Sequence, residues 1–380
     1  MSQEPFGDIP LFREIQRILA SSTGPVNYEI ARQVAAAIAT QGAPDPSVPT
    51  EVQRTFAEVV HASEGVLSGF TRLVLREPLQ SHVVVRKEWA AATLDAWSWL
   101  LDRLAGRFAG EMGKLGAGDE PEAMQTAMGQ VAPLLMGIQA GTLVGHLARE
   151  LLGRFDVPIP RDDDGRLFII EPNVQAVASD YGFDVEELRA WLALQETARG
   201  LIVASVSWID RYFRSLLAEI IDSIEIDASD LERRLTELQT RGMEALQEGL
   251  SPGDALPVVP TERHRRALER LHAFMALFEG YARHACAAVS SQVLGDTARI
   301  DEGMARHNLS PSDGEEMLAS LLGLSLDRSL DSTGTTFCAA VVRLHGIDAL
   351  NRVWEAPDNL PTLAEVKDPF AWIERVVATE

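Results

Sequence analysis

The sequence has few cysteines, a deficit of basic residues and no long apolar stretch. Its two cysteines, Cys286 and Cys338, show no CxxC or Cys/His spacing, which argues against a disulfide framework and a structural zinc site. Acidic residues outnumber basic residues by 56 to 34, and the formal net charge of -22 repels phosphate backbones, so nucleic acid is not an expected partner. No membrane span is predicted, because the longest clean apolar stretch, residues 201–209, is about half the length that crosses a bilayer.

Several signatures of enzymes and of exported proteins are also missing. No GxSxG, GxGxxG or phosphate-loop sequence occurs, so neither a serine hydrolase triad nor a nucleotide site is supported. The amino-terminal segment MSQEPFGDIPLF lacks a positive region followed by an apolar one, so no targeting signal is recognised and we expect a cytoplasmic protein.

Hydrophobic periodicity predicts a mainly α fold. Hydrophobic residues make up 46% of the chain and recur at intervals of three and four along most of it, which is typical of a multi-helix core. A small β-strand element is expected near residues 166–171, within RLFIIEPN. We predict an N-terminal helical region (1–118), a central helical unit (119–250) and a C-terminal helical unit (251–380), or else one continuous domain, with a proline-rich linker at 248–260.

Two further local patterns predict helix contacts and caps. Gly137, Gly141 and Gly145 recur every four residues on one side of a helix, where another helix is expected to cross closely. In the segment DSTGTT, Ser332 or Thr333 is expected to cap the helix that follows.

The helix after Asp184 is the best candidate for a functional element. Asp184 and Glu187 form a D-x-x-E capping signal, and the following sequence reads as one long helix. Gln195 and Arg199 share an otherwise apolar, buried stripe of that helix, so each needs a polar partner.

The segment WLALQETARG in this helix resembles the W-x-A-L-H-E-x-T-H helix of the zincin-type (zinicin-like) bacterial metallopeptidases, a family associated with deazaflavin-coenzyme biosynthesis. Neighbouring segments resemble that family in the same order. They are MGIQAGTLVGHLARELLGRFDVPIP and LFIIEPNVQAVASDYGFDVEELRAW upstream, and SWIDRYFRSLL and ALFEGYARH downstream. The resemblance covers roughly residues 136–284 and implies a large helical zincin-like domain.

The resemblance also identifies the positions where the family holds its metal. In an HExxH helix two histidines bind zinc and the glutamate between them activates the metal-bound water. Here Gln195 and Arg199 stand at the histidine positions, Glu196 keeps the general-base position, and Glu279 corresponds to the family's further ligand. Because a guanidinium is a permanent cation, we expect no zinc and no catalytic function for Glu196; zinc is the cofactor if this interpretation is wrong.

We predict that Arg199 replaces the charge of the metal and pairs with Glu279 or Glu196. The alternative is that Arg199 reaches solvent and Glu279 is exposed. His272, seven residues before Glu279, is a third candidate binding residue, because it might hold a relocated metal together with Glu279 and Glu196. The alternative for His272 is an ordinary hydrogen-bonded histidine.

Three functions compete at this point. The first is a member of the family that has lost zinc and hydrolytic activity and binds a peptide or protein partner in its cleft. The second is an active metal-dependent hydrolase with rearranged ligands, and the third is a structural assembly protein whose cleft is packed shut. An open groove above Glu196 would favour the first over the third, and the oligomeric state is not predicted.

Overall fold

The computed structural model describes residues 24–115, 122–163, 165–226, 258–259, 261–309, 311–323 and 329–378. Helices dominate these residues, which confirms the mainly α fold. The first half of the chain contains α1 (Tyr28–Thr40), α2 (Thr50–Thr71), α3 (Arg86–Ala96), α4 (Ser98–Leu115), α5 (Glu122–Glu150), α6 (Glu171–Tyr181), α7 (Val185–Ser205) and α8 (Ile209–Asp222). The second half contains α9 (Glu262–Val293), α10 (Ala298–His307), α11 (Asp313–Leu321), α12 (Ser329–Asn351), α13 (Leu363–Lys367) and α14 (Pro369–Trp372).

The predicted strand is present and belongs to a small parallel sheet. It runs over Leu167–Ile170 as β2, and it pairs in parallel with β1, Ser81–Val84, in the register Ser81 to Leu167. All four residues of β2 are buried, so its sequence is a continuous apolar run without the alternation of a half-exposed strand. A second pair, β3 (Glu225–Ile226) and β4 (Val258–Val259), is antiparallel. The predicted linker at 248–260 otherwise lies outside the described residues.

The glycine stripe of α5 is a helix crossing, as predicted. A Cβ atom built on Gly141 would lie 2.5 Å from the carbonyl oxygen of Ala31 in α1, and one on Gly145 would lie 2.8 Å from Cβ of Ile38. Glycine at these positions lets the two backbones approach more closely than side chains would permit.

A second close crossing joins α9 to α12. Gly280 of α9 lies against the backbone of Gly334 in α12, and Gly334 lies against the backbone of Ala276, so neither glycine has room for a Cβ atom. The predicted cap at Ser332 or Thr333 is wrong, because α12 already begins at Ser329 and both residues lie inside it. Gly334, within the same segment, makes this contact with α9.

One hydrophobic core extends through the described residues, from Val26 to Ile373. It takes side chains from all three predicted regions, while the division into those regions stays a prediction. Cys286 and Cys338 are buried in it as free thiols, as expected of small core residues. No helix among the described residues is long and apolar enough to pass through a bilayer.

Candidate functional site

The helix α7 begins where the sequence predicted. Asp184 is its N-cap, and the carboxylate oxygen Oδ1 accepts hydrogen bonds from the backbone N–H groups of Glu186 and Glu187 at 2.8 and 3.1 Å. The helix then passes through the core, where Gln195 and Glu196 are buried. It packs against α9, which carries Glu279.

Arg199 and Glu279 form the predicted ion pair between these two helices. The guanidinium Nε donates to both carboxylate oxygens, at 3.0 and 3.1 Å, and Nη2 donates to Oε2 at 2.7 Å. The remaining Nη1 donates to the carbonyl oxygen of Gln195 at 3.0 Å. The side chains of Arg199 and Glu279 are only 13% and 12% exposed, so water weakens this pair little. The alternative, in which Arg199 reaches solvent, is wrong.

Glu279 stabilises the charged form of Arg199. Burial by itself would lower the pKa of Arg199, but the charge and hydrogen bonds of Glu279 raise it above its ordinary value. Arg199 is therefore a permanent cation between α7 and α9.

Glu196 is held by a turn that follows α5. Its oxygen Oε2 accepts from the backbone N–H of Arg154 at 2.9 Å, and Oε1 accepts from that of Phe155 at 3.2 Å. In the same turn, Asp156 accepts from the N–H groups of Leu152 and Gly153 at 2.5 and 2.9 Å. Both carboxyl groups thus accept hydrogen bonds from backbone N–H groups of the same short segment.

Glu196 keeps a proton more firmly than an ordinary carboxyl group. Burial and the neighbouring Asp156 raise the pKa of Glu196 to about 8, against the opposing effects of Arg199 and of the two backbone donors. Glu196 is therefore less acidic than a carboxyl group in water.

The candidate site residues meet at one large cavity. Its volume is about 1380 Å³, and its wall includes side chains from α7, α9 and the turn after α5. The structure brings all the predicted residues to this wall: Gln195, Glu196, Arg199, His272 and Glu279. A groove beside Glu196 is therefore open among the described residues.

The relocated metal site has no support from this geometry. Among the described residues, His272, Glu279 and Glu196 do not form a group whose potential ligand atoms all lie within 4.8 Å of one another. Glu279 and Glu196 already accept hydrogen bonds with both carboxylate oxygens. The buried Cys286 offers no ready thiolate, because burial raises its pKa to about 12.

Sequence reasoning did not single out Asp156 or Gly153 as site residues. Both lie in LLGRFDVPIP, a segment that the resemblance covered, but the chain alone does not show that its backbone binds Glu196. Position 153 has little room for a side chain, because a Cβ atom on Gly153 would lie 2.5 Å from Oε1 and 2.7 Å from Cδ of Glu196.

Replacing Gly153 by alanine should therefore lower the free energy of unfolding by about 1 to 3 kcal/mol, the usual cost of overpacking a core. Gly153 does not have a positive φ, so backbone strain does not contribute to the expected loss. The loss comes from the close contact with Glu196. Urea unfolding followed by circular dichroism measures the loss. As a control, Gly69→Ala on the exposed side of α2, where a Cβ meets nothing within 4 Å, should leave the protein as stable or more so. Equal effects of the two substitutions would contradict the close contact at Gly153.

Comparison with known proteins agrees with the order of these elements. A solved structure from Chloroflexus aurantiacus, described as a candidate hydrolase with a novel fold, is similar over 93% of this chain and 99% of its own, at 25% identity and a TM-score of 0.67. No curated protein matches the chain significantly. The family model of the zincin-like metallopeptidases matches residues 26–373. The chain belongs to the zincin-like metallopeptidase family.

Proposed function

We propose that this protein is a member of its family without zinc and without hydrolytic activity, and that it binds a peptide or a protein segment in its cavity. The observation that carries the proposal is the buried Arg199–Glu279 pair. In this interpretation a cation and its bound carboxylate stand at the positions that the resemblance assigns to a metal and one of its ligands.

The residues present do not fit zinc at the HExxH position. A catalytic zinc needs three protein ligands, drawn from imidazole, thiolate and carboxylate groups. Gln195 offers only an amide, which is a weak ligand, and Arg199 offers no lone pair at all. Glu279 would have to give up its hydrogen bonds to Arg199 before it could bind a metal.

Glu196 is also unsuited to the role of general base. Without a metal ion to lower its pKa, water is a weak nucleophile, and a general base alone does not make up that difference. The carboxyl oxygens of Glu196 accept hydrogen bonds from the turn at Arg154 and Phe155. Its role in this interpretation is to hold the turn against α7.

The size of the cavity supports a binding function over a purely structural one. Pockets for small ligands usually measure about 300 to 1,000 Å³, so a volume of about 1380 Å³ suits a longer segment of chain. The wall of the cavity includes apolar side chains such as Met275 and Leu318 and charged ones such as Asp301. Such a wall can bind apolar side chains of a peptide and orient its polar groups.

A bulky side chain in the cavity should weaken binding without unfolding the protein. Ala287 of α9 is exposed and lines the cavity, whereas its neighbour Ala288 is exposed and does not. Peptides selected from a random displayed library on the immobilised wild-type protein should bind Ala287→Trp at least about tenfold more weakly, about 1.4 kcal/mol, because the indole fills the groove. Fluorescence anisotropy with the synthesised peptides measures the affinities.

Ala288→Trp is the matched control and should bind these peptides as the wild type does. Mass spectrometry after incubation should find the peptides intact. Selection that yields no binding peptide, or equal affinities for Ala287→Trp and Ala288→Trp, would refute the binding function. Peptide cleavage that a chelator abolishes would refute the loss of hydrolytic activity.

A further inference from the structure

Three side chains that the proposed function does not use meet where α5 ends and α11 begins. His146 and Glu150 lie four residues apart on α5, and Asp313 is the first residue of α11. One ligand atom from each of them lies within 4.8 Å of the other two. An imidazole and two carboxylates at this spacing form a set that divalent transition metals bind.

The backbone around these residues is held in place by close packing. The N–H of Gly314 donates to Oε2 of Glu150 at 3.0 Å, which ties the start of α11 to the end of α5. Gly314 also approaches α5 so closely that a Cβ atom on it would lie 2.8 Å from the backbone nitrogen of Leu147. The backbone that carries the three potential ligands is thus fixed before any ion binds.

The imidazole of His146 gives an independent sign of a missing partner. Its Nδ1 is buried and has no hydrogen-bond partner among the residues that the structure describes. Buried polar atoms of side chains are nearly always paired, so an orphaned nitrogen on the imidazole of this cluster needs an explanation. A bound metal ion or an ordered water would supply one.

We propose that His146, Glu150 and Asp313 bind a divalent transition-metal ion, with zinc as the best fit, and that the ion joins α5 to α11. The two carboxylates offset the charge of the ion and the positive end of α11. Three protein ligands leave at least one coordination position for water. Because Glu150 also lines the cavity, the ion would add positive charge at the edge of the cavity. The ligand set is separate from Gln195, Arg199 and Glu279.

Zinc titration of the full chain after chelator treatment tests the site. Equilibrium dialysis with elemental analysis should find one zinc equivalent on the wild-type protein. His146→Gln, Glu150→Gln and Asp313→Asn should each weaken zinc binding by more than about tenfold, because each removes a ligand. Glu150→Gln keeps an oxygen that can accept from Gly314, and Asp313 is exposed, so both variants should fold. Co²⁺ added to the wild type should give visible absorption bands that His146→Gln lacks.

The matched control is His345→Gln, the same substitution at an exposed position of α12. It should bind zinc and Co²⁺ as the wild type does. Equal zinc stoichiometry and affinity in the wild type and in folded Glu150→Gln and Asp313→Asn would overturn the proposal and leave Glu150 as a helix contact alone. Peptide binding compared between Ala287→Trp and Ala288→Trp does not depend on this result, so the two proposals fail separately.

Discussion

Replacing Gln195 and Arg199 together by histidine should create a zinc site, raising zinc affinity at α7 by more than about 100-fold, or about 2.7 kcal/mol. The double substitution puts imidazoles at positions i and i+4 of one helix, where both can reach a single ion. It also removes the guanidinium, so that the carboxylate of Glu279 is free to become the third ligand. Elemental analysis and calorimetric titration with zinc measure the gain.

The single substitutions identify which residue excludes the metal. Gln195→His keeps the guanidinium and should gain no zinc, whereas Arg199→His should gain only weak binding. All variants are compared in a His146→Gln background, so that an ion held between α5 and α11 is not counted. A double variant that binds zinc no better than Gln195→His would show that something other than the charge of Arg199 excludes it.

Removing one partner of the buried pair should destabilise the protein strongly. Glu279→Ala leaves the guanidinium of Arg199 buried without its carboxylate, and the expected loss in the free energy of unfolding is about 3 to 5 kcal/mol. The matched control is Glu219→Ala, which breaks another pair between α8 and α9, with Arg270. The side chains of that pair are 33% and 49% exposed, so its loss should cost at most about 1 kcal/mol.

Replacing both partners distinguishes the missing ion pair from the missing volume. The double variant Arg199→Met with Glu279→Met removes both charges and fills the space with apolar atoms, so it should recover much of the stability that Glu279→Ala loses. Thermal and urea unfolding of the four proteins provide the comparison. Similar losses in Glu279→Ala and Glu219→Ala would mean that the pair at Arg199 is no more shielded from water than a surface pair.

The sequence predicted well those features that local spacing controls. Asp184 marked the start of α7, because a capping carboxylate and the helix it caps are adjacent in the chain. Gly141 and Gly145 marked a helix crossing, because small residues every four positions lie on one side of a helix. The ion pair of Arg199 with Glu279 followed from the resemblance together with the cost of burying an unpaired charge.

Features that depend on distant segments were missed. Strand β1 is only four residues long and exists because β2, far along the chain, supplies its hydrogen bonds. The turn that binds Glu196 uses backbone N–H groups, which every residue carries, so no side-chain pattern reveals it. The error at Ser332 has the same cause, since the local sequence does not show that Gly334 contacts α9 from within a helix.

The crossing of α9 and α12 limits how this protein can respond to a ligand. Backbones that already touch at Gly280 and Gly334 cannot slide or approach further, so the face of α9 that carries Glu279 is a fixed wall. Helices α10 and α11 also contribute residues to the wall of the cavity. A segment that binds beside Glu279, as proposed above, must therefore match the shape of this wall.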